Sequence, residues 1–218
     1  MHHPFQSFSA QHFSILAVLV GLTYGLVYAG QRLDRQGKLK ILQVMAGLTL
    51  SLEIIETIVR LVYGMYDYLT DLPLFLCDVT AIMLPFVIYR QNRKWIGILY
   101  FWAMAGTLQA LVTPELNEGF PSPEFFRYFL MHGGIVATVF CTILFFRIRI
   151  SWRDLLNAIL YAQVYLVLIH LVNKILGSNY SYTVQKPYTS TILDYFGPWP
   201  WYILWGEVLM VALFLVLW

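Results

Sequence analysis

The stretch FFRYFLMHGGIVATVFCTILFF, residues 125–146, sets the character of the whole chain. It is 22 residues of nearly unbroken apolar sequence, interrupted by Arg127 and His132 and followed at once by Arg147 and Arg149. About 20 such residues span the hydrocarbon core of a bilayer as a helix. Nothing in lipid can satisfy a free backbone polar group, so the run must be helical. Period-2 alternation, the mark of a membrane barrel, is absent.

Working outward, six more runs of this kind can be drawn. With the first they cover 13–30, 41–64, 72–89, 95–112, 125–146, 155–176 and 199–218. Composition agrees with lipid as the main solvent. Of the 218 residues 59% are hydrophobic and 12% charged, about half the charge of a soluble domain, and the mean hydropathy is +0.66. The 7 Trp, 15 Tyr and 15 Phe fit aromatic belts at headgroup depth. The expectation is an all-α, polytopic membrane protein: a single seven-helix transmembrane domain over residues 1–218.

Charge gives the orientation. Ten of the 14 basic residues fall in alternate loops: Arg32, Arg35, Lys38 and Lys40; Arg90, Arg93 and Lys94; Arg147, Arg149 and Arg153. The other loops carry Asp67, Asp71, Glu115, Glu118, Glu124 and Asp194, with Arg127 and Lys186 as their basic residues. The positive-inside rule places the basic loops in the cytoplasm, the N-terminus outside and the C-terminus inside. The segment before the first run lacks a basic stretch, so no cleavable signal peptide is expected. Ten charges split over three short loops form no nucleic-acid-binding patch. Cys77 and Cys141 sit in separate apolar runs at different depths, so no disulfide is expected.

The ionisable groups inside the runs carry the functional signal, because they are costly in lipid and face bundle interiors or wet cavities. At about 1.5 Å of rise per residue, Cys77, His132, His170, Glu207 and Glu56 all lie roughly 7–12 Å below the outer surface. Gln109 shares that layer; Glu53, Arg60, Asp78 and Lys174 lie near it. Several helices delivering polar groups to one depth imply an outward-facing polar cavity, roofed by the long loop from Gly177 to Pro198. Glu56 and Arg60 read equally as a neutralising i,i+4 pair, and Lys174 as a snorkelling side chain. Cys141, roughly 13 Å deeper than His132, reads as a small buried hydrophobe.

Cys77 and His132 at matching depth form a nucleophile and base. Attack on a lipid ester would leave an acyl-thioester on Cys77. A lysolipid hydroxyl would complete an acyl transfer, and water a hydrolysis. Glu56, Asp78, Gln109, His170, Lys174 and Glu207 would support the pair or bind substrate, and Arg60 would hold a lipid phosphate. Membrane lipids are the expected partners, no cofactor is expected, and the oligomeric state is not legible. The same polar set would serve a transporter or receptor for a small polar ligand. A metal-dependent hydrolase using His132, His170, Glu56 and Glu207 is a further alternative, although no His pair stands at i,i+4. A retinal protein is disfavoured, because the last run has no lysine for a Schiff base.

Several motifs also resemble a known family. They are Leu193-Asp194-Tyr195-Phe196-Gly197-Pro198-Trp199-Pro200-Trp201-Tyr202, Asn179-Tyr180 followed by Lys186-Pro187, and Leu72-Pro73-Leu74 leading to Cys77. Together they resemble the YwaF-type bacterial integral membrane proteins. That family is similar to the eukaryotic transmembrane acyltransferases that make ether phospholipids with polyunsaturated chains. More distantly it is similar to androgen-induced membrane hydrolases that use a Thr and a His. The resemblance implies a multi-pass protein of a bacterial plasma membrane, with Cys77 as nucleophile and His132 as base. Phe75 stands where related sequences often have a polar residue, and Ser181-Tyr182-Thr183 where they are more apolar.

Overall fold

In a computed structural model of the chain, residues 4–187 and 191–218 are described. They fold into seven helices: α1 (Ala10–Gln31), α2 (Arg35–Val62), α3 (Leu76–Arg90), α4 (Arg93–Val112), α5 (Pro123–Phe146), α6 (Trp152–Leu176) and α7 (Trp201–Leu217). Among the described residues there is no strand, only an isolated bridge between Pro4 and Glu118. Five helices, α1, α2, α4, α5 and α6, are long and apolar enough to cross a membrane, and α7 is a shorter apolar helix. The protein is an all-helical polytopic membrane protein.

Capping chemistry sets the helix starts. Asp34 accepts from Gly37 N at 2.8 Å, so α2 begins at Arg35 rather than at Ile41. Ser122 caps α5 through Phe125 N at 3.1 Å, with Pro123 in the first turn. Ser151 and Asp154 form a capping box at the start of α6. The third helix starts later than the apolar run, at Leu76 instead of Leu72. A residue before proline avoids the α region, and Tyr side chains take up the freed backbone. Leu72 N donates to the Tyr180 hydroxyl at 2.9 Å, and Leu74 O accepts from the Tyr165 hydroxyl at 2.7 Å.

α4 and α5 are the most deeply buried helices, and α1 lies almost wholly at the periphery. The main core gathers Leu84 of α3, Ile98 and Phe101 of α4, Ile135 and Cys141 of α5, Leu155 of α6 and Phe214 of α7. Gly133 and Gly134 let α1 and α2 approach α5. A Cβ on Gly133 would meet Leu19 at 2.7 Å, and one on Gly134 would meet Thr49 Oγ1 at 2.5 Å. Small residues serve close helix packing in lipid in this way. α4 opens into a π-helical turn at Trp102–Thr107, a feature that often marks functional positions. Each residue beyond the wide turn changes phase, so Thr107 is buried while Gln109 is exposed.

The loops on the side away from the basic residues are tied together by buried polar groups. Asn173 of α6, 1% exposed, spends its whole amide on them. Its Nδ2 donates to Tyr180 O and Thr183 Oγ1, each at 2.8 Å, and its Oδ1 accepts from Ser178 Oγ and Tyr180 N, each at 2.8 Å. Tyr180 in turn donates to Tyr68 O at 2.8 Å. The loop from Gly177 to Pro198 therefore grips the loop ahead of α3. Its residues 188–190 lie outside the described residues.

Candidate functional site

Cys77 stands in the first turn of α3, half-buried, with Sγ 3.6 Å from Thr107 Oγ1 of the π turn. The Tyr165 hydroxyl reaches Leu74 O at 2.7 Å, just ahead of this turn. Cys77 also packs against the main apolar core. Cys141 offers the contrast: it is fully buried in the apolar core.

His132 is 8% exposed on α5. Its ring stacks on Tyr128 at 4.2 Å between centroids, and Nδ1 lies 2.8 Å from Tyr128 O. A carbonyl oxygen only accepts, so Nδ1 carries the proton and Nε2 holds a lone pair. No hydrogen bond engages Nε2 among the described residues. His12 is built differently. Its Nε2 donates to Leu111 O at 2.8 Å and its Nδ1 accepts from Phe8 N at 3.0 Å, so both nitrogens are used in fastening the N-terminal segment. Tyr128 also donates its hydroxyl to Ala110 O at 2.9 Å, tying α5 to α4 beside Thr107. Cys77 and His132 share no hydrogen bond among the described residues. Tyr128 is stacked on His132 and ties α5 to α4, the helix that carries Thr107.

α2, α3 and α5 enclose a cleft of about 130 Å³ lined by Glu53, Glu56, Arg60, Asp71, Asp78 and Arg127, among others. Arg60 Nε donates to Glu56 Oε1 at 2.6 Å, and its Nη1 meets both oxygens of Asp71 at 3.3 Å. Arg127 stands 3.6 Å from Glu56 and 4.0 Å from Glu53. Asp78 accepts from Phe75 N at 3.0 Å as it closes the start of α3. Two atoms are left over: Glu53 Oε2 and Arg127 Nε are buried without a hydrogen-bond partner. Arg60, expected to hold a lipid phosphate, has its guanidinium committed to Glu56 and Asp71.

The remaining polar groups of the expected layer go elsewhere. Gln109 bonds Thr113 Oγ1 at 3.0 Å and lines a separate outer cavity of about 930 Å³ with Glu115, Asn117 and Asp194. His170 Nδ1 reaches Thr183 Oγ1 at 3.4 Å and helps hold the long loop. Glu207 of α7 pairs with Gln163 of α6. Lys174 is exposed. Over the top, the Tyr182 hydroxyl donates to Glu115 Oε2 at 2.5 Å. Burial, reinforced by that carboxylate, pushes the Tyr182 phenol above its ordinary range, so it stays a donor.

Sequence reading passed over Thr107, Tyr128, Tyr165, Asn173 and the role of Arg127. Arg127 had a signal: it falls in the second turn after a Ser-Pro-Glu helix start, where a lone cation needs carboxylates from a neighbour. Thr107 had none, because only the π turn aims it inward.

A family model matches residues 7–218, and the chain belongs to the TMEM164 family. Neither a curated protein nor a solved structure matches the sequence.

Proposed function

We propose that this chain is a membrane-embedded lipid acyltransferase or lipid-ester hydrolase in which Cys77 is the nucleophile and His132 the base. The observation that carries the reading is the contrast between the two cysteines. Cys77 is half-buried with its Sγ 3.6 Å from Thr107 Oγ1, and His132 Nε2 has no hydrogen bond among the described residues, whereas Cys141 is fully buried in apolar core. The resemblance of the Gly197–Tyr202 motif to YwaF-type proteins, and through them to ether-phospholipid acyltransferases, supports the same reading.

The chemistry balances simply. His132 Nε2 takes the Cys77 proton as Sγ attacks the ester carbonyl. Collapse of the tetrahedral adduct breaks the ester C–O bond, and His132 returns the proton to the departing alcohol. The acyl group is left as a thioester on Cys77. A second hydroxyl, deprotonated by His132, attacks the thioester and regenerates the thiol. A lysolipid acceptor makes this a transfer and water makes it a hydrolysis. Contacts of this kind are commonly long before substrate binds.

The test is lipid profiling of a host expressing the wild type, Cys77→Ala or His132→Ala, with mass spectrometry for an acyl-thioester at Cys77. The reading expects a changed acyl pattern with the wild type only. Unchanged lipids together with an unacylated wild-type Cys77 overturn it.

One observation favours a second reading. Glu53 Oε2 and Arg127 Nε, ion-paired but without a hydrogen bond in the 130 Å³ cleft, would suit a small polar ligand, as in a transporter or receptor. A ligand-dependent thermal shift that survives Cys77→Ala would support it over catalysis. A metal-dependent hydrolase finds no ligand set: among the described residues no three His, Cys, Asp or Glu side chains are grouped to hold an ion.

The proposal includes seven crossings of a plasma membrane, with the basic loops in the cytoplasm. A cysteine introduced at Asn117 should react with an impermeant maleimide in intact cells and one at Asn92 should not. The reverse pattern overturns the orientation.

A further inference from the structure

At the basic end of the bundle, opposite the cysteine site, α2, α3, α4 and α5 leave a second pocket of about 260 Å³. Its rim is polar: Arg35 in the first turn of α2, Gln91 at the end of α3 and Arg93 in the first turn of α4. Its floor is apolar and includes Leu42, Ile88 and Ile96, all 8% exposed or less. We infer that this pocket binds the phosphate headgroup of an anionic lipid from the leaflet at the basic end, with the start of an acyl chain lying on the apolar floor.

Three observations carry the inference. The first is unspent charge. Arg35 makes one hydrogen bond, from Nη2 to Gln91 Oε1 at 2.7 Å, and its guanidinium lies 5.9 Å from the Phe146 ring. A guanidinium has five N–H donors, and no carboxylate pairs with Arg35 among the described residues. Arg93, by contrast, is already tied to Asp154 at 2.8 and 2.9 Å and to Arg149 O at 2.6 Å. It is a fixed wall, and Arg35 is the free arm.

The second is the local charge balance. Ten Lys and Arg side chains lie at this end with two carboxylates, Asp34 and Asp154. Both are occupied: Asp34 caps α2 through Gly37 N, and Asp154 holds Arg93 and Ser151. Basic pockets between helix ends at a membrane surface recruit anionic headgroups, and guanidinium matches phosphate oxygens in a two-point geometry.

The third is the pairing of rim and floor. A free inorganic anion would use the arginines and leave the apolar floor wet. An amphiphile satisfies both, because its headgroup meets Arg35 as its first methylenes cover Leu42 and Ile88. The α2 and α4 N-termini at the rim add a favourable dipole for the anion.

The experiment uses the full-length protein in detergent, with phosphatidylglycerol, phosphatidylcholine or inorganic phosphate added. Retained lipid is read by native mass spectrometry and stability by thermal midpoint. Phosphatidylglycerol should be retained and raise the midpoint, and phosphatidylcholine and inorganic phosphate should do neither. Arg35→Gln should weaken phosphatidylglycerol retention about tenfold, the size of one lost charged contact. Arg153→Gln, which removes the same charge from the same end outside the pocket, should leave retention unchanged. Leu39→Trp, which fills the pocket mouth from a half-exposed position, should also abolish retention and does not depend on Arg35→Gln folding. Equal losses in Arg35→Gln and Arg153→Gln would mean diffuse attraction and overturn the site. So would equal retention of phosphatidylcholine, or a full shift with inorganic phosphate alone.

Discussion

At one end of the bundle, ten basic side chains sit in short loops and helix ends with only Asp34 and Asp154 for company. In the other half, Arg60 and Arg127 are folded among Glu53, Glu56 and Asp71 in a cleft between three helices. Both arrangements follow from the cost of charge in lipid, and they meet it in opposite ways. At the basic end the charges stay where water and headgroups can solvate them, and screening over about 8 Å at physiological salt softens their repulsion. In the other half the charges neutralise one another away from water, which pays only when geometry is good. That contrast underlies both proposals: chemistry in the half with the paired charges, and lipid-headgroup binding at the basic end.

Arg127→Leu should be the most damaging, lowering stability by about 3 kcal/mol, because Glu53 is left buried with no cation. Thermal or steric-trap unfolding in detergent measures it, and a loss below about 1 kcal/mol would mean that the cleft is solvated like the opposite end. Asp154→Ala strikes the basic end's buried carboxylate, 5% exposed, and should cost about 2 kcal/mol through Arg93 and the α6 cap. The same unfolding assay reads it, and Arg93→Gln in the Asp154→Ala background should then add little.

Thr107→Val should cost about 1 kcal/mol or less in stability, as one neutral hydrogen bond, while changing the rate at which Cys77 is labelled by a thiol probe. An unchanged labelling rate would separate the π turn from the thiol. Smallest of all, Arg153→Gln at the basic end should fall within about 0.5 kcal/mol of the wild type, as an exposed charge in a crowd of like charges. A larger loss would show an ion pair where the comparison has none.

Much of the fold was legible because lipid allows few solutions. Runs such as 125–146 must be helices, whereas the caps Asp34, Ser122 and Ser151, which start three of them ahead of the apolar runs, emerged with the structure. The start of α3 was less legible, since the run from Leu72 looks apolar throughout and only Tyr165 and Tyr180, about a hundred residues away, hold Leu72–Leu74 out of the helix. Depth arithmetic put Cys77, His132, Glu56, Gln109, His170 and Glu207 in one layer. Depth is one coordinate of three, and rotation about each helix axis separates groups that share it. Gln109 faces an outer cavity, His170 a loop and Glu207 its partner on α6.

By itself the sequence determined the solvent, the helical secondary structure and the segregation of charge to two ends, because each depends on composition along a single chain direction. Tertiary structure decided which polar groups meet. The π turn in α4 rotates Thr107 to Cys77, and the Ser122 cap starts α5 early enough to aim Arg127 at Glu53 and Glu56. These contacts depend on helix phase and on partners far apart in the chain, and neither is written in local spacing.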